Sequence, residues 1–136
     1  MENKRENHIT FVCEHGAAKS VIAAAYFNRF AEELGLVVRA VARGTHPDAE
    51  LSPMTVKGLS EDGLAPAELV PRQLSLEEAN ASAGIVAFCE LPASYQQGSA
   101  IERWEDVPPV SENYEQARDA IVEHLKRLID TIRRNS

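Results

Sequence analysis

The chain has little of what marks secreted, metal-binding, membrane or nucleic-acid-binding proteins. It holds two cysteines among 136 residues, so it has no disulfide framework, and it has no cysteine and histidine cluster with zinc spacing, so we expect no metal site. No apolar run approaches the roughly 20 residues of a membrane-spanning helix. The formal net charge is −7 at pH 7, which disfavours a general nucleic-acid binder because such proteins need a basic face.

We expect no targeting signal in the N-terminal segment. Residues 1–7 are polar and contain no apolar signal-peptide core, so we expect a cytoplasmic protein without a membrane partner. In a reducing compartment, two cysteines are either unrelated or catalytic. The hydrophobic content of 44% is ordinary for a globular protein, and the length predicts one domain over residues 1–136. We expect no cofactor.

Apolar runs alternate with stretches of helical spacing along the chain. We expect strands at 8–12, 36–42, 85–89 and 100–104, a loop from 91 to 98, and helices at 21–34, 53–63, 76–83 and 112–134, the last three capped by Ser52, Ser75 and Ser111. This alternation predicts an α/β fold with a parallel sheet and helices on both faces. Ligands bind beyond the carboxyl ends of such strands, where we expect Cys13, Cys89, Glu105 and Asp106 to meet.

The stretch from Cys13 to Ser20 is the strongest candidate for chemistry. A cysteine ends a strand, five residues follow, and Lys19 and Ser20 then precede a helix that we expect to begin at Val21. Backbone amides in a tight turn and at a helix N-terminus favour an anion, and a thiol beside them is activated as a nucleophile. Ser20 either caps the helix or donates to the sulfur. The alternative is a core cysteine beside an ordinary strand-to-helix turn.

This stretch resembles the phosphate-binding loop of low-molecular-weight protein tyrosine phosphatases and thioredoxin-coupled arsenate reductases, whose pattern is Cys, five residues, Arg and Ser or Thr. The Cys13-Glu14-His15 part is closer to the reductases. The resemblance runs from Ile9 through the last helix and implies a phosphotyrosine protein phosphatase I-like fold, a three-layer sandwich around four parallel strands. It also implies that the oxyanion is held by Glu14, His15, Gly16, Ala17, Ala18 and Lys19.

Several positions depart from the family pattern. Lys19 stands in place of the loop arginine, and a lysine ammonium cannot reproduce the planar fork that grips two oxyanion oxygens. Gly16 replaces the usual asparagine, a mild change because both residues tolerate positive φ. Of the family's Ser-Ala-Gly-Thr signature, only Gly44-Thr45 is kept. Arg43 before it is either a solvent-facing side chain or a second cation for the anion site.

The family's proton donor is an aspartate in an Asp-Pro pair that follows the fourth strand. Trp104 matches a tryptophan that often precedes this pair, but the family aspartate aligns with Pro108, which has no proton to give. Asp106, two residues earlier, is the fallback proton donor, with Glu105 a weaker candidate. The alternative for Asp106 is an exposed loop carboxylate.

The resemblance also gives Cys89 a possible role. It aligns with the first resolving cysteine of the arsenate reductases, whereas the second resolving cysteine is missing, so an external thiol such as thioredoxin or a small thiol would have to complete the cycle. The alternative is a small residue that fills a buried strand.

Three functions are therefore open. The first is an enzyme in which Cys13 attacks phosphorus or arsenic, with Lys19 and Ser20 assisting. It would act as a phosphoric monoester hydrolase or an arsenate reductase. The second is a catalytically impaired module that binds phosphate, arsenate or a phosphorylated ligand without turnover. The third is a thiol redox protein that uses Cys13 and Cys89.

Overall fold

The computed structural model describes residues 8–96 and 100–135. The polar segment 1–7, the stretch 97–99 of the expected 91–98 loop, and Ser136 lie outside the described residues. The elements are β1 His8–Cys13, α1 Lys19–Leu34, β2 Arg39–Gly44, α2 Pro53–Glu61, α3 Leu76–Ala81, β3 Gly84–Ala87, a 3₁₀ turn Ala93–Tyr95, β4 Ala100–Arg103 and α4 Tyr114–Arg134. No helix in this part of the chain is long and apolar enough to cross a membrane.

The four strands form one sheet in the order β2-β1-β3-β4, and every pair is parallel. This confirms the predicted α/β fold with a four-stranded parallel sheet. β1 lies between β2 and β3, and its last residue, Cys13, pairs with Gly44 at the end of β2. β4 is an edge strand, as its weaker apolar pattern suggests.

Side chains of β1 alternate between two cores, which makes the fold three-layered. Ile9 and Phe11 pack with the buried faces of α1 and α4. Val12 packs on the opposite face, where α3 and the segments beside it contribute Leu74, Ala79 and Leu91. Helices therefore cover both faces, and β1 is buried from both sides.

Several element ends differ from the predictions. β2 begins at Arg39 rather than Leu36, because Gly35 takes a left-handed conformation and Leu36 still donates to the Ala31 carbonyl as part of the end of α1. α4 is capped by Asn113, whose side chain accepts from the Gln116 amide at 3.0 Å, and not by Ser111. β3 ends at Ala87, so Cys89 lies in the following loop.

A shared carboxylate ties α2 to α1 and α4. Asp62, at the C-terminal end of α2, accepts from the hydroxyls of Tyr26 and Tyr114 at 2.6 and 2.9 Å and from the Arg118 guanidinium at 3.1 Å. Burial alone raises the pKa of Asp62, but these donors outweigh it and lower the pKa below its usual range. The Tyr114 ring also occupies the space beside Gly58, where no side chain would fit. The segment before α2 is thereby held against α1, next to the loop after β1.

Candidate active site

The loop after β1 is held in place by hydrogen bonds between its carbonyl groups and the neighbouring segment 45–52. Four of them accept hydrogen bonds from main-chain amides of the segment 45–52. The pairs are Cys13 with Thr45 at 3.3 Å, Glu14 with His46 at 2.7 Å, His15 with Asp48 at 3.0 Å and Ala17 with Ser52 at 3.0 Å. The carbonyls therefore point away from the interior of the loop.

The amides of the same loop are left for a ligand. Within residues 8–96 and 100–135, no protein acceptor binds the amides from Glu14 to Lys19. Ala18 occupies the N-cap of α1 without a side-chain cap, so the first amides of the helix are also open. A turn of unpaired amides that leads into a helix N-terminus is a site that favours an anion.

Two glycines allow the loop to lie directly on the end of β2. Gly16 has φ of +61°, a conformation that side chains rarely adopt, and a Cβ there would lie 2.9 Å from the Gly44 nitrogen. A Cβ on Gly44 would lie 2.8 Å from the Gly16 nitrogen. The backbones of Gly16 and Gly44 are thus in direct contact. This contact leaves no room for a side chain at position 44, which is a physical reason for the glycine in the Gly-Thr pair.

Cys13 and Ser20 meet at the base of the loop. The Cys13 side chain is nearly buried, and its Sγ lies 3.0 Å from Oγ of Ser20, which is fully buried. Of the two roles predicted for Ser20, the geometry favours the contact with sulfur, because Ser20 is the second residue of α1 and Ala18 occupies the cap position.

A cleft of about 380 Å³ opens in front of this loop. Most of the predicted oxyanion residues line it, whereas Gly16 is pressed against Gly44 instead. The sequence did not indicate the other walls of the cleft, which come from the loops after β2, β3 and β4: Asp48, Ser52, Phe88, Pro109, Val110 and Ser111. Asp48 also contacts His15 at the rim, with Oδ1 3.2 Å from Nδ1.

Lys19 lines the cleft and also contacts the loop after β4. Its Nζ donates to the Val107 carbonyl at 2.9 Å. An ammonium has three N–H donors, so two remain for an anion in the cleft. The lysine thus links the loop after β4 to the N-terminus of α1.

Both predictions for Arg43, a solvent-facing side chain or a second cation for the anion site, are wrong. It is buried rather than solvent-facing, and its guanidinium binds Glu78 at 2.9 Å and Glu68 at 2.6 Å, so its charge is neutralised away from the anion site. Burial alone lowers the pKa of Arg43, but the two carboxylates reverse this and raise it. The signal that could have indicated this role is the pair of glutamates, one in the loop before α3 and one in α3, but nothing in the sequence fixes their distance from β2.

Cys89 lies in the same cleft as Cys13, as expected from its place after β3. Burial and the neighbouring Cys13 raise the pKa of the Cys89 thiol, and the nearby Thr45 hydroxyl opposes this only in part. Cys89 is therefore near the candidate nucleophile but is held largely as a thiol.

The structure does not bring the candidate proton donors into the cleft. Asp106 does not line it; its Oδ1 lies 2.7 Å from Nε2 of His124, and this hydrogen bond lowers the pKa of Asp106. A general acid needs a raised pKa, so these contacts oppose the fallback role. Glu105 instead pairs with Arg103 at 3.4 Å. The His124 ring also stacks on Trp104.

Comparison with known proteins decides the family. The family model for low molecular weight phosphotyrosine protein phosphatase matches residues 8–136. The chain belongs to this family. No curated protein sequence gave a significant match.

Solved structures of phosphatases and arsenate reductases share the fold. The chain is similar to a thioredoxin-dependent arsenate reductase of Corynebacterium glutamicum, with 22% identity and a TM-score of 0.77 over 95% of this chain, although it spans only 63% of that protein. It is similar to YfkJ of Bacillus subtilis, with 22% identity and a TM-score of 0.83 over 95% of this chain and 96% of that one. It is also similar to a low molecular weight protein tyrosine phosphatase from T. tengcongensis, with 18% identity and a TM-score of 0.78 over 91% of this chain and 98% of that one.

These findings confirm the predicted family and its fold. The likenesses at this level of identity show the fold and leave the choice of substrate to the residues of the cleft.

We expect Gly44→Ala to lower the free energy of unfolding by about 1–3 kcal/mol, because the added Cβ meets backbone atoms that cannot rotate away. Urea denaturation measures the change. Gly84→Ala is the matched control: it lies at the start of β3, and its Cβ would meet the Ile9 side chain at an ordinary 3.5 Å. Equal stability of the Gly44→Ala variant and the parent would contradict the tight contact with Gly16.

Proposed function

We propose that the chain is a cysteine-nucleophile phosphatase that holds a phosphate oxyanion in the loop from Cys13 to Ser20. The observation that carries the proposal is the direction of the loop backbone. Four carbonyls of the loop that follows Cys13 accept hydrogen bonds from the segment 45–52, which leaves the amides from Glu14 to Lys19 without an acceptor among the described residues. Preorganised donors of this kind stabilise the charge of a transition state.

The chemistry would proceed in two steps. The sulfur of Cys13 attacks phosphorus, an S–P bond forms, and the P–O bond to the leaving group breaks. The loop amides, the α1 N-terminus and the free N–H donors of Lys19 bind the phosphoryl oxygens. Water then attacks phosphorus and releases phosphate, and the Ser20 hydroxyl, 3.0 Å from the sulfur, donates to the departing thiolate.

The leaving group would receive little help. The carboxyl of Asp106 is paired with His124 and has a lowered pKa, so it is a poor proton donor. We therefore propose aryl phosphates as the substrates that react best, because a phenolate leaves without prior protonation. Alkyl phosphates, whose leaving groups are stronger bases, should react slowly.

Arsenate reduction is the second candidate, because Cys89 shares the cleft with Cys13. Cys13 would bind arsenic(V) with loss of water. The Cys89 sulfur would then attack the Cys13 sulfur, so that an S–S bond forms and arsenic leaves as arsenite with two electrons. Thioredoxin or a small thiol would reduce the disulfide. The raised pKa of Cys89 makes this attack slow at neutral pH, which favours the phosphatase reaction.

A module that binds oxyanions without turnover is the remaining alternative. Its basis is Lys19 in place of arginine together with the engagement of Asp106 by His124. The same loop amides would serve it, so only an activity assay separates it from the enzyme.

We expect the purified chain to hydrolyse an aryl phosphate and Cys13→Ser to lose this activity by at least about a thousandfold, since the hydroxyl is a far weaker nucleophile. Cys89→Ser is the matched control and should keep the hydrolysis. Arsenate reduction with thioredoxin or a small thiol is measured in parallel and should be lost in both variants. Hydrolysis that persists in Cys13→Ser would refute the nucleophile. Phosphate binding without any turnover would identify the binding module.

The lysine of the loop gives a separate prediction. Lys19→Arg should lower the KM for an aryl phosphate by about tenfold, because a guanidinium binds two oxyanion oxygens at once. Steady-state kinetics measure it. Lys126→Arg, which alters an exposed cation of α4 paired with Glu123 at 3.6 Å, is the control and should leave KM unchanged. An unchanged or higher KM in Lys19→Arg would place the lysine outside the oxyanion site.

A further inference from the structure

The loop between β4 and α4 is anchored at three successive points. The Trp104 ring is buried and stacks on the His124 ring, with 4.5 Å between centroids and 14° between planes. The Asp106 carboxylate lies 2.7 Å from Nε2 of His124. The Val107 carbonyl accepts from Lys19 Nζ at 2.9 Å. Two of these three anchors involve one side chain of α4, that of His124.

The neighbours of His124 determine which of its ring nitrogens donates a hydrogen bond and which accepts one. Nη2 of Arg127 lies 3.4 Å from Nδ1, and a guanidinium can only donate, so Nδ1 is the acceptor. Nε2 then carries the proton and donates it to Asp106. The ring is mostly buried, with 17% of its side chain exposed, whereas the Asp106 side chain is 72% exposed. The histidine is thus the fixed partner and the aspartate the group that it holds.

Holding Asp106 also fixes the next carbonyl along the chain. Asp106 and Val107 are adjacent and are joined by one planar peptide bond, so a restraint on Asp106 limits the conformations that are open to the Val107 carbonyl. Lys19 carries its charge on a flexible four-carbon stem and lines the same cleft as Cys13, and the Val107 carbonyl holds its ammonium at 2.9 Å. The chain of contacts runs from His124 through Asp106 and Val107 to Lys19.

We propose that His124 is a positioning residue for the anion site, which it serves by fixing the Val107 carbonyl that orients the Lys19 ammonium. This inference rests on the proposed function, since it assigns Lys19 to an oxyanion. It gives Asp106 a positioning role in place of proton donation.

Inorganic phosphate is the probe, and calorimetry gives its dissociation constant for the whole chain. His124→Asn removes the N–H from the Nε2 position and should weaken phosphate binding by about fivefold or more. His124→Gln places an amide N–H near that position and should restore most of the affinity. In a Lys19→Met background, His124→Asn should change the affinity by less than about twofold, because the contact through which it acts is gone.

Substitutions of Asp106 give a second test. Its side chain is exposed, so we expect these variants to fold. Asp106→Ala removes a negative charge, which favours an anion, yet it should weaken phosphate binding because the carbonyl is released. Asp106→Asn keeps an acceptor for His124 and should retain the affinity. Urea denaturation shows which variants are folded.

Two results would overturn the inference. One is that the losses of phosphate affinity from His124→Asn and Lys19→Met, or from Asp106→Ala and Lys19→Met, add up in the double variant. Additive losses would mean that the substitution at residue 124 or 106 acts through a general structural effect and not through Lys19. The other is full phosphate affinity in both His124→Asn and Asp106→Ala while the parent binds phosphate. No phosphate binding by the parent would instead overturn the proposed function, and this inference with it.

Discussion

The hydrogen bonds between the loop after β1 and the segment 45–52 are the constraint on which the site depends. They engage the carbonyls of Cys13, Glu14, His15 and Ala17 and so turn the loop amides the other way. They form only because Gly16 and Gly44 let two backbones touch. The Asp62 network holds α2, and with it the end of this segment, against α1 and α4. The proposed chemistry thus depends on contacts around the loop that set the direction of its amides.

Several departures from the family pattern affect charge around this loop. Lys19 brings one ammonium, partly engaged by Val107, where the family has a guanidinium fork. Asp106 is ionised beside His124 and does not line the cleft. The buried charge of Arg43 is matched by Glu68 and Glu78. The backbone amides and the α1 N-terminus therefore supply most of the attraction for an anion in the proposed site.

Local patterns predicted the fold well. Short apolar strands, the Ser52-Pro53 helix start and the Ser75 capping box all appear as expected, because each depends on neighbours in sequence. The place of Cys13 and Cys89 at one sheet edge also followed from parallel topology.

Contacts between distant residues were the part that the sequence could not give. The ion pairs of Arg43 with Glu68 and Glu78 span 25 and 35 positions, and the Lys19 bond to Val107 spans 88. The pairing of His124 with Asp106 likewise depends on how α4 lies beside the loop after β4. No periodicity or short motif encodes such distances, so the partners of Lys19, Arg43 and Asp106 emerge only from the tertiary structure.

The central claim is that the loop amides around Cys13 bind an oxyanion, and an NMR titration tests it most directly. Inorganic phosphate is added to ¹⁵N-labelled protein, and the amide shifts are followed residue by residue. The account predicts that the largest saturable shifts fall on the amides from Glu14 to Ser20. Shifts confined to other parts of the chain, or no saturable shift in this loop, would contradict it.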